Sequence, residues 1–133
     1  MARFFKSRIA TKGQAPGSLI LIGKQKMEKP EIHVMDIESE KLKEVPMESI
    51  EEAEALKESA AVSWINIWGI HDLHMMERLG EIFQLQSLLM EDIMNTDQKP
   101  KYEEGDSYHA VVLKMIKFDV STRKISSEQL TLI

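Results

Sequence analysis

The sequence contains no cysteine. That excludes a disulfide framework, a thiolate nucleophile and any cysteine-ligated zinc or iron–sulfur centre, and it points to a reducing compartment. Long apolar runs are missing as well. The longest, Leu19-Ile20-Leu21-Ile22 and Ala110-Val111-Val112-Leu113, are each four residues, whereas a membrane span needs about 20. Met1 to Ala10 carries Arg3, Lys6 and Arg8 but no apolar stretch of signal-peptide length, so the chain reads as soluble. Basic charge is in deficit: 17 Lys and Arg against 22 Asp and Glu leave a net −5. This balance argues against nucleic acid as a partner. Glycine is sparse, and its six positions (13, 17, 23, 69, 80 and 105) never make a phosphate-cradling loop. No Gly-x-Ser-x-Gly elbow of a serine hydrolase occurs either.

What is present suffices for one domain. The chain has 133 residues, 43% of them hydrophobic, enough for a sizeable core. Residues 1–17, basic and broken by Gly13, Pro16 and Gly17, read as a flexible tail, and 18–133 as a single α/β domain. Strands are expected at Ser18–Ile22, Glu31–Ile37 and, on an edge closed by Pro46, Lys41–Val45. Ser49 and Glu52 form a capping box before a helix over Ile50–Ser59, with Ile50, Ala53 and Leu56 inward. Val62–Trp68 returns to strand character. Asp72 is an N-cap for a helix to Phe83, with Leu73, Met76, Leu79, Ile82 and Phe83 on its core face. Ser87 reads as the N-cap of a second helix to about Asn95. Tyr108–Val120, apolar on both faces over Ala110–Ile116, is expected to be central and covered on both sides. Ile125–Ile133 pairs back on it as a hairpin partner. The order describes a mixed parallel and antiparallel sheet with helices on its faces. The strand-like close Leu130-Thr131-Leu132-Ile133 suggests a fragment, cut inside or just after a strand.

Two groups of residues could carry chemistry. His71-Asp72-Leu73-His74 places two histidines three apart around a carboxylate, the beginning of a metal site or of a metal-dependent hydrolase. The other histidines, His33 and His109, stand in expected strands, and the plain alternative is that Asp72 caps a helix and His74 faces water. Nine methionines supply adaptable core packing or, failing that, a recognition surface. The second group lies in Ser87–Asn95. Helical geometry puts Asp92 within the arc defined by Leu88, Leu89 and Ile93, with Glu91 nearer its edge. A carboxylate there is hydrogen-bonded, paired, metal-bound or set at a subunit boundary, unless it simply faces water. Two adjacent carboxylates are hard oxygen ligands suited to Mg²⁺ or Ca²⁺.

Leu89-Met90-Glu91-Asp92-Ile93-Met94-Asn95, Gln98-Lys99-Pro100-Lys101, Tyr108 and Val112-Leu113-Lys114 together resemble the N-terminal cytoplasmic domain of CorA magnesium and cobalt transporters. The likeness extends to Pro16-Gly17, Trp64-Ile65-Asn66-Ile67, Gly69-Ile70-His71, Leu79-Gly80-Glu81-Ile82-Phe83, Glu128-Gln129 and Leu130 to Ile133. Lys99 stands where arginine is commoner, and Met90 and Met94 where leucines are, swaps that keep charge or approximate volume.

The resemblance implies an α/β/α sandwich at the cytoplasmic face of the cell membrane, followed in the family by long helices and two membrane spans. It implies a homopentamer in the full-length protein and a monomeric or weakly associated fragment without transport activity, joined to the membrane only through segments beyond it. Regulatory Mg²⁺ sites of the family lie between subunits, and the Glu-Asp pair maps onto Glu91 and Asp92, half of a site completed by a neighbour's carboxylate. Co²⁺ is a second candidate ion, and the family also holds zinc carriers. On this reading Asp92 has its partners on another subunit, and the isolated chain should tolerate Asp92→Leu. The alternatives are a hydrolase using His71, Asp72 and His74, and a stand-alone interaction domain.

Overall fold

The computed structural model describes residues 13, 15–38, 41–59 and 61–133. Most of the expected basic tail, residues 1–12 and Gln14, lies outside the described residues. The chain divides into two compact units, one from Lys24 to Gln84, the other from Leu85 to Ile133 together with the described residues up to Gly23. The architecture is mixed α/β.

In the first unit β1 (Glu31–Glu38), β2 (Lys41–Met47) and β3 (Val62–Trp68) form a sheet in the order β2-β1-β3, both pairs antiparallel. Ile32 and Val34 are buried on one face of β1, as the two-residue period of a strand requires. The edge position of β2 is as expected, but the strand runs through Pro46, which lies opposite His33, and on to Met47. An edge strand tolerates proline because one of its sides has no ladder to keep. Gly69, at φ +82, ends β3 in a conformation that disfavours a side chain.

Between β2 and β3 the chain winds as a 3-10 helix, Ile50–Glu58, where the sequence suggested an α-helix. The reason is visible in the spacing: Ile50, Ala53 and Leu56 recur every three residues, the period of a 3-10 turn. Ile50 and Ala53 are buried and Leu56 half-buried. Glu52 accepts hydrogen bonds from Ser49 N at 3.0 Å and Glu48 N at 2.8 Å, its expected part in the capping box. This helix packs on α1 (Leu73–Phe83), and Lys57 Nζ donates to Ile82 O at 3.0 Å. Asp72 caps α1 as expected, accepting from Met75 N at 3.0 Å, and the helix ends at Gln84 in a left-handed conformation, φ 54. Met75, Met76 and Ile82 are its buried residues. Leu73, expected inward, is exposed. Side chains in a helix lean toward its N-terminus, so at the first helical position Leu73 overhangs the end.

The second unit contains α2 (Ser87–Met94) and a sheet of β4 (Lys101–Glu104), β5 (His109–Asp119) and β6 (Lys124–Leu132), ordered β4-β5-β6. The expected single sheet with parallel and antiparallel pairs is therefore replaced by two three-stranded sheets whose neighbouring strands all pair antiparallel. Short connections such as the one between β5 and β6 leave room only for hairpins. Ser18–Ile22 is not a strand. Ile22 alone makes a parallel bridge to Asn95, through Ile22 N to Met94 O at 3.0 Å and Thr96 N to Ile22 O at 2.9 Å. Pro16-Gly17 before it and Gly23 after it leave too little extended chain for a ladder. Strand β4 was not foreseen.

β5 is central, as expected, but it is not covered on both faces. Ala110 and Val112 are buried, whereas Leu113, Met115, Ile116 and Phe118 are exposed. Element lengths explain this. The 11 residues of β5 extend about 37 Å, and the 8 residues of α2 about 12 Å. β4 pairs only with residues His109–Val112. Among the described residues no helix is long and apolar enough to cross a membrane.

Candidate functional site

Helix α2 is where the functional side chains gather. Its N-cap is Gln86 and not Ser87, which is the first helical residue. The buried residues are Leu89, Met90, Ile93 and Met94. Leu88, expected within the apolar arc, is 55% exposed. The run Leu88-Leu89-Met90 is apolar throughout and so carries no phase; the burial falls one residue later than the sequence suggested. Four methionines, Met75, Met76, Met90 and Met94, are thus core residues.

Asp92 flanks this stripe with its side chain 16% exposed. Its Oδ2 accepts from Lys101 Nζ, and its Oδ1 from Gln98 Nε2. Lys101 opens β4 immediately after Pro100, and its Nζ also donates to Glu103 Oε1 at 2.6 Å. Burial works against the Lys101 ammonium, but its hydrogen bonds to Asp92 and Glu103 win and hold its pKa above the ordinary lysine value. Asp92 is therefore paired within its own chain.

Glu91 is engaged from a different segment. Its Oε2 accepts from Gly17 N at 2.8 Å. Gly17 has φ +82, and a Cβ there would stand 2.7 Å from Ser87 Oγ, so only glycine permits this approach to the start of α2. Consecutive helical residues do not face each other: Glu91 turns to the Gly17 turn and Asp92 to β4.

The C-terminal end of α2 is gripped by the hairpin. Gln129 Nε2 donates to Asp92 O at 3.2 Å and Ile93 O at 3.3 Å, carbonyls that the end of a helix otherwise leaves without a partner. Lys114 Nζ donates to Thr96 O at 2.6 Å and to Gln129 Oε1 at 3.2 Å. Burial pushes the Lys114 pKa down, opposed by the nearby Asp97 charge.

The histidine cluster does not assemble. Asp72 is committed to its cap, His71 Nε2 lies 3.2 Å from Glu28 O, and His74 is exposed. His33 stands edge-on to Trp68 with ring centres 5.2 Å apart, and His109 Nδ1 lies 2.7 Å from Tyr102 Oη. Among the described residues no group of three or more His, Cys, Asp or Glu is arranged to hold a metal ion. What α2 offers is one carboxylate already facing a cation, beside a second held by a backbone amide.

No family model matches the chain. Over 124 residues it is 39% identical to the cobalt/magnesium transport protein CorA of Thermotoga maritima, a match that takes in 93% of this chain and 35% of that protein. The chain is a CorA-family relative. It spans about a third of that protein's length.

Within this CorA relative, every member of the α2 network, Gly17, Glu91, Asp92, Gln98, Lys101, Lys114 and Gln129, belongs to the strings that carried the resemblance. Reading the sequence singled out Glu91 and Asp92 but missed the roles of Lys101, Gln98 and Gln129. Nine positions separate Asp92 from Lys101 across a proline, which is neither a helix nor a strand period. The only signal for those three was their place in the family-like string.

Proposed function

We propose that residues 18–133 are the cytoplasmic divalent-cation-sensing part of a CorA-type magnesium and cobalt channel. The chain belongs, on this reading, to the α/β/α sandwich of a homopentamer at the inner face of the membrane, and it neither conducts ions nor catalyses a reaction. Glu91 and Asp92 are its regulatory ligands, completed by a carboxylate from a neighbouring subunit. Bound Mg²⁺ screens carboxylates that otherwise repel across the boundary and so favours the closed ring; its loss releases the ring. Co²⁺ is the alternative ion.

The donor chemistry fits such an ion. Both groups are hard carboxylates, and each carboxylate has about four lone-pair positions, of which the hydrogen bonds described for Asp92 and Glu91 use only some. One observation carries the reading: the largely buried Asp92 already holds a cation, the Lys101 ammonium, inside a stretch 39% identical to CorA. Two carboxylates leave most of the six-oxygen shell of Mg²⁺ to water or to another subunit. The ¹⁵N-labelled 133-residue chain should therefore show saturable shifts centred on Glu91–Asn95 at about millimolar Mg²⁺, and Asp92→Asn should abolish them. Shifts that centre elsewhere, or that survive this substitution, would sink the assignment.

A further inference from the structure

Lys101 has a place in this arrangement that the carboxylates alone do not explain. Its Nζ lies against Asp92 Oδ2 and Glu103 Oε1, on the carboxylate oxygen that an incoming cation would need. Its side chain is half-buried, and the ammonium is fixed by two carboxylate partners at once. The strand that carries it is short but fixed: Lys101 pairs with Val112, whose side chain is buried, so the lysine stem starts from an anchored backbone. Gln98 occupies Oδ1 from the other side with a neutral amide. Of the two donors only Lys101 brings charge, and charge cannot share that oxygen with a divalent ion without strong repulsion.

Resting on the cation-sensing reading above, we infer that Lys101 is a tethered counter-ion which occupies Asp92 whenever no divalent ion does, so that the two exclude each other. Divalent binding at Asp92 then requires the ammonium to leave, and Glu103 is the second acceptor that keeps it partnered when it does. The pair sets the threshold of the site. A stronger hold of Glu103 on Lys101 frees Asp92 and raises cation affinity; a weaker one returns the ammonium to Asp92 and lowers it. This is a competition between a fixed monovalent charge and a mobile divalent one, and the two coupling free energies are reciprocal.

Mg²⁺ titrations of the 133-residue chain, followed by amide shifts of Glu91–Asn95, test it with substitutions of opposite sign. Lys101→Gln should bind about tenfold more tightly than the parent, within the usual range for coupled sites, and Lys101→Arg should stay at the parent affinity. Glu103→Gln should bind a few-fold more weakly. Lys99→Gln removes one positive charge two residues away and measures the general charge effect, which should be clearly smaller than that of Lys101→Gln. The side-chain ammonium signal of Lys101, sharp while it is bonded, should broaden as Mg²⁺ is added. Equal affinities for the parent and Lys101→Gln, with binding still lost in Asp92→Asn, overturn the competition and leave the sensing reading standing. Weaker binding by Lys101→Gln overturns it too. Binding that is independent of Asp92 in every variant removes both. If Lys101→Gln fails to fold, Glu103→Gln and the ammonium signal still decide the matter.

Discussion

Helices α1 and α2 are secured in different ways. Asp72 sits next to α1 in sequence and caps it, and Gln84 closes its other end. α2 receives no side-chain cap from Gln86. It is held by groups from afar: the Gly17 amide, 74 residues from Glu91, the ammonium of Lys101, and Gln129, 37 residues beyond Asp92. α1 takes one donor from farther off, Lys57 Nζ on Ile82 O, 25 residues away, but both of its caps are local. A helix secured from several segments is a junction, where a change at one contact is felt by the others, and a cation site placed there has something to act on.

The largest effect is expected in the core under the site. Met94, the last residue of α2, is fully buried, and Met94→Ala should cost about 2–5 kcal/mol in urea unfolding. Phe118→Ala, on the exposed ribbon of β5, should stay within about 0.5 kcal/mol. Equal losses would show that the ribbon is packed. Next comes Asp92→Leu, expected from the sequence to be tolerated because its partners were placed on another subunit. With Lys101 and Gln98 as partners in the same chain, the substitution should instead destabilise by about 1–3 kcal/mol. Adding Lys101→Met should restore part of the loss, since an apolar pair replaces a broken ionic one. A neutral Asp92→Leu would mean that the intrachain pair contributes nothing.

The contrast between the helix ends gives a smaller effect. Asp72→Ala should cost about 0.5–2 kcal/mol, whereas Gln86→Ala should be nearly silent. Comparable losses would erase the distinction between the two helices. The smallest effect is at the tip of the hairpin. Asp119 Oδ1 accepts from Ser121 Oγ at 2.6 Å, Ser121 N at 2.8 Å and Thr122 N at 3.1 Å. The Ser121 hydroxyl and then Thr122 lower its pKa from 3.8 to about 2. The folded value lies below the unfolded one, so this contribution is complete above about pH 4 and is lost as pH falls through about 2. A carboxyl titration of Asp119 centred near 4 would remove it.

Sequence reading succeeded where the determinants are local. Asp72, the Glu52 bond to Ser49, the edge position of β2 and the central position of β5 all follow from residues within a few positions of one another. It failed where a decision depends on something distant. Leu88 and Leu89 are equally apolar, and only the packing partners fix which turns inward. Strand β4 is four residues long and has no period to detect; it exists because Tyr102 finds Val111. The apolar faces of β5 over-predicted burial because sequence records what a strand can bury and not how far its cover reaches. At the site, two carboxylates were legible as types, but the lysine that neutralises one of them arrives around a turn.

The tight winding of Ile50–Glu58 also has a mechanical side. β2 and β3 flank β1, and both oppose it, so they point the same way and the chain between Met47 and Val62 must travel back along the sheet. The seven residues of β2 cover about 23 Å. Nine residues wound as a 3-10 helix reach about 18 Å, against about 13.5 Å as an α-helix. In an α-helix the three would no longer line up: Ala53 would be turned about 60° and Leu56 about 120° from Ile50. The 3-10 winding therefore serves two ends at once: nine residues supply about 18 Å of chain toward the return while Ile50, Ala53 and Leu56 stay on one line.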